Sequence, residues 1–207
     1  MTVVAVVGTH TPVGARIAER LTARGATVVD LDGAADGPPV AAVLHAEVDP
    51  VLYEPTRLAD LTPARWQALC ARPVDRALAT AWAAFELMAT GEGRSGQGGV
   101  LGFVCPTVAM TGAAGQVAAS TTGEAIRLLA KSAARRWGRF GITGNAFALR
   151  LDAPSPAGLQ VHATALAADD LDPADDVASL LLYLSAPGAA RLTGATFTAD
   201  GGELMTP

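Results

Sequence analysis

The chain has 207 residues, 50% of them hydrophobic and only 17% charged, and a formal net charge of -5. Those figures suit one globular domain with a large core and exclude a long disordered chain. The pI near 5.1 also argues against nucleic acid, whose binding rests on clustered Lys and Arg against phosphates.

Thr2 to Val7 is a β-branched run, the pattern of a buried parallel strand, and Gly8 to Gly14 reads as the loop after it. Ala15 to Arg24 reads as a helix stopped by Gly25, and Ala26 to Leu31 as a second strand. The Gly/Pro stretch Gly33 to Pro39 leads straight into a third strand, Val40 to Ala46. Pro63 to Ala71 is helical, and Pro73 opens a longer helix to about Thr90. Val100 to Cys105 is a strand, Val117 to Gly138 a long helix, and Ile142 to Leu149 a strand. Pro173 to Ser185 is the last helix and Thr193 to Ala199 the last strand. Alternating β and α elements predict an α/β Rossmann-like, doubly wound parallel sheet, as a single domain over residues 1–207.

Two helices are apolar nearly all round. Ala77 to Ala89 carries Glu86 as its only charge, and Ile126, Leu129 and Trp137 make the second long helix similar. A helix of that kind must be buried on two sides. Trp82, Phe85, Met88, Ile126, Leu129 and Trp137 are therefore expected to form an interface with another chain.

From Gly138 to Leu149 the chain reads GRFGITGNAFAL, and from Asp172 to Gly202 it ends in LTGATFTADGG. With LADLTPARWQAL (Leu58 to Leu69), these stretches resemble the short-chain dehydrogenase/reductase family, in particular its 3-oxoacyl-carrier-protein-reductase-like branch. The resemblance implies hydride transfer between NAD(P) and a carbonyl or alcohol, by an Asn, a Ser, a Tyr and a Lys. The Lys lowers the Tyr pKa, because a nearby ammonium favours the phenolate. Counted from Trp66, Gly115-Gln116 and Asn145, the Asn position falls on Pro73, the Ser position on Pro106, the Tyr position on Ala119 and the Lys position on Gly123. None of these side chains can do the family's work. The chain has one lysine, Lys131, which sits where the family has a surface residue, and its two tyrosines, Tyr53 and Tyr183, lie in other elements.

The family's TGxxxGxG phosphate loop reads VGTHTPVG here, keeping Gly8 and Gly14 but placing Pro12 at the middle glycine. Proline adds bulk and removes a donor N–H there. The family's Asn-Asn-Ala-Gly is replaced by Leu44 to Glu47, and its Pro-Gly beside the nicotinamide by Leu149-Arg150. A helix, a strand and a helix that form the family's adenine pocket are missing between Asp32 and Val40. The segment Asp152 to Asp172, the family's substrate lid, is short.

Other residues have ordinary roles. His10, His45 and Glu47 are candidates for acid–base work in the old cleft, and His162 has no partner in view. Cys70 and Cys105 follow neither a metal spacing nor a disulfide framework, and Cys105 reads as core. Thr107, Thr111, Ser120, Thr121 and Thr122 leave hydroxyls around the cleft. Asp175 and Asp176 read as helix-start acids, and Arg135, Arg136 and Arg139 as helix-end cations. No metal site is expected.

In the resembling family, the two long helices make a four-helix contact, and the last helix and strand make a second contact. The expectation is a non-catalytic subunit pairing with a catalytically complete short-chain reductase, or with itself. The partner would carry the NAD(P), and none is expected on this chain. The complex would act on an acyl thioester or polyketide-type intermediate. A cofactor-independent enzyme, or an active NAD(P)-dependent oxidoreductase with relocated residues, stands as an alternative. No nucleic acid or membrane partner is expected, no signal peptide is seen, and a cytoplasmic location follows.

Overall fold

The computed structural model describes residues 2–91, 96–150, 172–202 and 204. Its centre is a six-stranded, all-parallel sheet in the order β2-β1-β3-β4-β5-β6. The strands are β1 (Val3–Val7), β2 (Thr27–Val29), β3 (Ala42–His45), β4 (Gly99–Pro106), β5 (Ile142–Leu149) and β6 (Thr196–Ala199). The helices are α1 (Pro12–Ala23), α2 (Pro63–Trp66), α3 (Arg72–Met88), α4 (Val108–Thr111), α5 (Val117–Trp137) and α6 (Pro173–Leu184).

Alternation along the strands splits the core into two layers. Val4, Val6, Leu44, Val104 and Phe147 meet Ile17 and Leu21 of α1 and Val177 and Leu181 of α6. Val3, Ala5, Val43, Leu101 and Phe103 meet Ala77, Ala81 and Met88 of α3 and Ile126, Ala130 and Ala133 of α5. Strands buried on both faces are apolar throughout, as β4 is from Val100 to Pro106. The doubly wound parallel sheet expected from the alternation is present.

Between β2 and β3 the chain makes only turns, and among the described residues nothing pairs outside β2, which is an edge strand. Ala34 and Val40 from this connection are buried against Val3 and Ala5. The helix–strand–helix expected to be missing here is absent.

Several boundaries differ from the sequence reading. The first helix starts at Pro12, not Ala15, because Thr11 caps it and Pro12 sits at its first position. Pro63 to Met88 is one helical run rather than two helices, with a π-helical turn at Gln67–Ala71. Pro73 supplies no N–H to the turn behind it, and the Leu69 carbonyl four residues back accepts the Thr122 hydroxyl at 3.0 Å. The last strand begins at Thr196, since Asn145 fixes the approach to it. Asn145 Nδ2 donates to the Leu192 carbonyl at 2.9 Å, and the Ala195 N–H donates to Asn145 Oδ1 at 3.1 Å.

The expected interface residues divide. Phe85, Met88 and Ile126 are buried by this chain alone, at 6%, 1% and 4% exposure. Phe85 packs on Trp137 and Phe140, with ring centroids 4.9 and 5.2 Å apart. These three are core residues, which corrects the expectation that they face another chain. Leu129 and Trp137 are half-buried. Trp82 is 54% exposed, with Leu78 of the same helix and Leu128 of α5 also open to solvent. Leu78 and Trp82 lie one turn apart, so they share a face of α3.

Candidate functional site

In open α/β sheets ligands bind outside the carboxyl ends of the strands, so the site is built from what stands there. Three parts of the chain meet: the turn from β1 to α1, the segment after β3, and the start of α5.

The first turn is tight. Gly8 has φ +100°, and a Cβ on it would lie 2.5 Å from the Glu47 nitrogen. A Cβ on Gly14 would lie 2.1 Å from the Gly8 carbonyl. Both glycines are required by packing alone. The Thr11 hydroxyl donates to the Gly8 carbonyl at 2.8 Å and accepts the Gly14 N–H at 3.2 Å. Pro12 has no N–H, so the start of α1 offers few free donors.

Glu47 closes the same corner. Its carboxylate, 9% exposed, lies 3.5 Å from His10 Nε2 and 3.1 Å from Arg76 Nε. His10 is open to solvent, at 71% side-chain exposure. Alternation along the strand pairs Glu47 with His45, whereas the structure brings His10 and Glu47 together. It separates His45 from them. His45 points into the α3 layer, with Nδ1 3.0 Å from Thr80 Oγ1 and its ring against Phe103. Burial first, and Arg76 second, hold its pKa down at about 4. A neutral, enclosed imidazole is a core residue, and the candidate role for His45 in the cleft is corrected.

Pro73, Pro106, Ala119 and Gly123, the positions that the resemblance assigns to a catalytic set, are all closely packed. Pro73 and Ala119 are buried, and Pro106 ends β4 in the core. A Cβ on Gly123 would lie 2.8 Å from both Pro106 Cδ and Ala109 Cβ. The Lys position thus rests directly on the Ser position and has no room for a side chain. Tyr53 belongs to the same buried cluster as Ala119. Its segment is tied to α5: the Thr56 N–H donates to the Gly115 carbonyl at 2.8 Å, and Gln116 Nε2 donates to the Tyr53 carbonyl at 3.1 Å.

The Tyr53 hydroxyl is buried without a hydrogen-bond partner, and so is Gln116 Oε1. Burial pushes the Tyr53 phenol well above its ordinary range. It also lifts the Cys105 thiol to about 12. Neither group ionises near neutral pH, so Cys105 is core, as expected, and not a nucleophile. Cys70 is buried and its thiol is likewise raised by burial. Of the hydroxyls expected to line the cleft, Thr122 is spent on Leu69 and Ser120 on the Val108 carbonyl. Arg150 leaves β5 with its N–H 3.4 Å from the Ala199 carbonyl. His162 and most of the shortened segment lie outside the described residues.

Sequence reasoning missed a charged seam between α1 and α6. Asp172, read only as the start of a resembling stretch, caps α6 and accepts from Arg16 at 3.3 Å and Arg20 at 2.7 Å. Arg24 pairs with both oxygens of Asp175. The signal was present, since Arg16, Arg20 and Arg24 repeat every four residues along one face of a helix. Among the described residues no group of three or more His, Cys, Asp or Glu could hold a metal ion. No helix among them is long and apolar enough to cross a membrane.

This combination of sheet order and helix layers is the fold of the short-chain dehydrogenases/reductases. A dehydrogenase/reductase from Sinorhizobium meliloti superposes with a TM-score of 0.74 at 19% identity, covering 98% of this chain and 94% of that one. A putative oxidoreductase from Escherichia coli gives 0.73 at 19% identity, covering 98% and 97%. A short-chain dehydrogenase/reductase from Serratia marcescens gives 0.69 at 19%, covering 98% and 97%. Among curated proteins, a peroxisomal 2,4-dienoyl-CoA reductase from Pongo abelii is 32% identical over 119 residues. That match spans 53% of this chain and 40% of the reductase. No protein-family model matches the chain.

Proposed function

We propose that this chain is a non-catalytic, short-chain-reductase-like subunit that pairs with a catalytically complete reductase of the same fold. One observation carries the reading: all four positions of the catalytic set are filled by Pro73, Pro106, Ala119 and Gly123, and the last of these packs on Pro106 without space for a side chain. Removing a general acid alone costs about 10²–10⁴-fold, so the loss of all four ends that chemistry.

A nucleotide cofactor fits the chain poorly. At the turn where a pyrophosphate would lie, Pro12 offers no donor, the Gly14 N–H is taken by Thr11, and the Glu47 carboxylate stands close to His10. A carboxylate beside a phosphate is repulsive, whereas a phosphate site needs free N–H groups. NAD(P) therefore belongs to the partner. The exposed Leu78, Trp82 and Leu128 supply the apolar surface for pairing. Likeness to a reductase of CoA thioesters favours an acyl thioester or polyketide-type substrate for the complex. The complex is assigned to the cytoplasm.

A second reading rests on His10 and Glu47, 3.5 Å apart at the sheet's carboxyl edge. An exposed imidazole held by a shielded carboxylate is suited to proton transfer without a cofactor. Titration of the isolated chain with NADH and NADPH separates the readings from an active dehydrogenase. No saturable binding and no oxidoreductase turnover are expected. Saturable binding with turnover would overturn the subunit reading. Cofactor-independent turnover lost in His10→Ala would establish the second reading.

A further inference from the structure

A cavity of about 530 Å³ lies away from the closed catalytic positions, between α6 and the carboxyl ends of β5 and β6. Its size falls in the range of small-molecule sites, about 300–1,000 Å³. The floor is aromatic and aliphatic: Phe147 and Phe197 stack with centroids 6.3 Å apart at 27°, beside Val177 and Leu180.

The rim is built. Asp200 is 3% exposed, and its carboxylate accepts the N–H groups of Gly202 and Leu204, each at 3.0 Å. Both of its oxygens are thereby used to shape the turn that walls the cavity. Asp176 stands on the opposite wall, in the first turn of α6. The charged seam leaves it out. Arg16 and Arg20 go to Asp172, and Arg24 goes to both oxygens of Asp175. Among the described residues no basic side chain forms an ion pair with Asp176. Partial burial, then Asp175 and Asp172, raise its pKa, and the Arg24 guanidinium offsets part of that rise.

We propose that this cavity binds a small aralkyl amine, its ring on Phe197 and Leu180 and its ammonium on Asp176. The polarity follows from charge complementarity: one unpaired carboxylate beside an apolar floor favours an apolar body carrying one positive charge.

The probe is phenethylammonium, compared with neutral 2-phenylethanol and anionic phenylacetate, by amide chemical shifts of the full chain. Saturable shifts are expected for phenethylammonium at Leu180, Thr198, Gly201 and Gly202, and no binding of phenylacetate. Asp176→Asn should weaken phenethylammonium at least tenfold and leave 2-phenylethanol unchanged. Leu180→Trp fills the floor and should abolish binding of both while the chain stays folded. The proposal fails if phenethylammonium gives no saturable shift by about 10 mM. It fails equally if phenylacetate binds as well, if Asp176→Asn binds as the parent does, or if the shifts lie elsewhere.

Discussion

At the scale of single residues, His45 carries the clearest consequence. Its pKa is about 4 in the folded chain and near 6.5 when exposed. The folded state therefore prefers the neutral ring. The stability held by that preference is complete above pH 6.5 and is lost as pH falls toward 4. The full loss is on the order of 3 kcal/mol. Denaturant unfolding at several pH values should show this acid weakening, and His45→Gln should flatten it. An equal slope in both proteins would remove His45 as the cause. Gly123 makes a second test. Helix propensity alone would favour Gly123→Ala by about 1 kcal/mol. Its Cβ would press on Pro106 and Ala109 at 2.8 Å, and overpacking costs about 1–3 kcal/mol. A lowered unfolding midpoint is expected, and an unchanged or raised one would show that the contact yields. Tyr53→Phe should be neutral or stabilising, because it deletes a buried hydroxyl that has no partner.

At the scale of elements, the α1–α6 seam is the feature to test. Asp172→Ala removes the cap of α6 and leaves Arg16 and Arg20 without that acceptor. Caps are worth about 1 kcal/mol and half-exposed ion pairs less, so a loss of about 1–2 kcal/mol is expected. Raised salt should shrink the ion-pair part only. The elements also show what was legible from sequence. β1 and β5 fall where their β-branched and apolar runs put them, because a strand buried on both faces has no competing pattern. The start of α1 was misplaced although Thr11 and Pro12 carry an ordinary cap signal. The family's loop frame outweighed it. The π-helical turn before Pro73 had no sequence signal, since it depends on Thr122 reaching across from α5. Apolar spacing could not tell the inner face of α3 from its outer one. Both faces are apolar, so spacing does not separate the buried Phe85 and Met88 from Leu78 and Trp82, the large hydrophobics of α3 that are exposed. At the cleft, the sequence shows His10 and Glu47 only as separate candidates, and their contact is visible in the structure alone. His45 was not separable from Glu47, because residues two apart share a face of a strand, and only the structure shows that the strand ends at His45.

At the scale of the whole molecule, a tightly packed Gly123 coexists with a six-stranded parallel sheet and exposed apolar side chains on α3 and α5. The proposed loss of catalysis accounts for the closed space at Gly123, and the proposed pairing accounts for Trp82 at 54% exposure with Leu78 and Leu128 also open to solvent. The pairing reading joins these facts. Its most direct test is native mass spectrometry of this chain co-expressed with a catalytically complete short-chain reductase from the same genome. A hetero-oligomer containing both chains is expected, with NAD(P) bound once per reductase subunit and the assembly lost in Trp82→Glu. A homogeneous, stable species of this chain alone, never carrying the reductase, would contradict it.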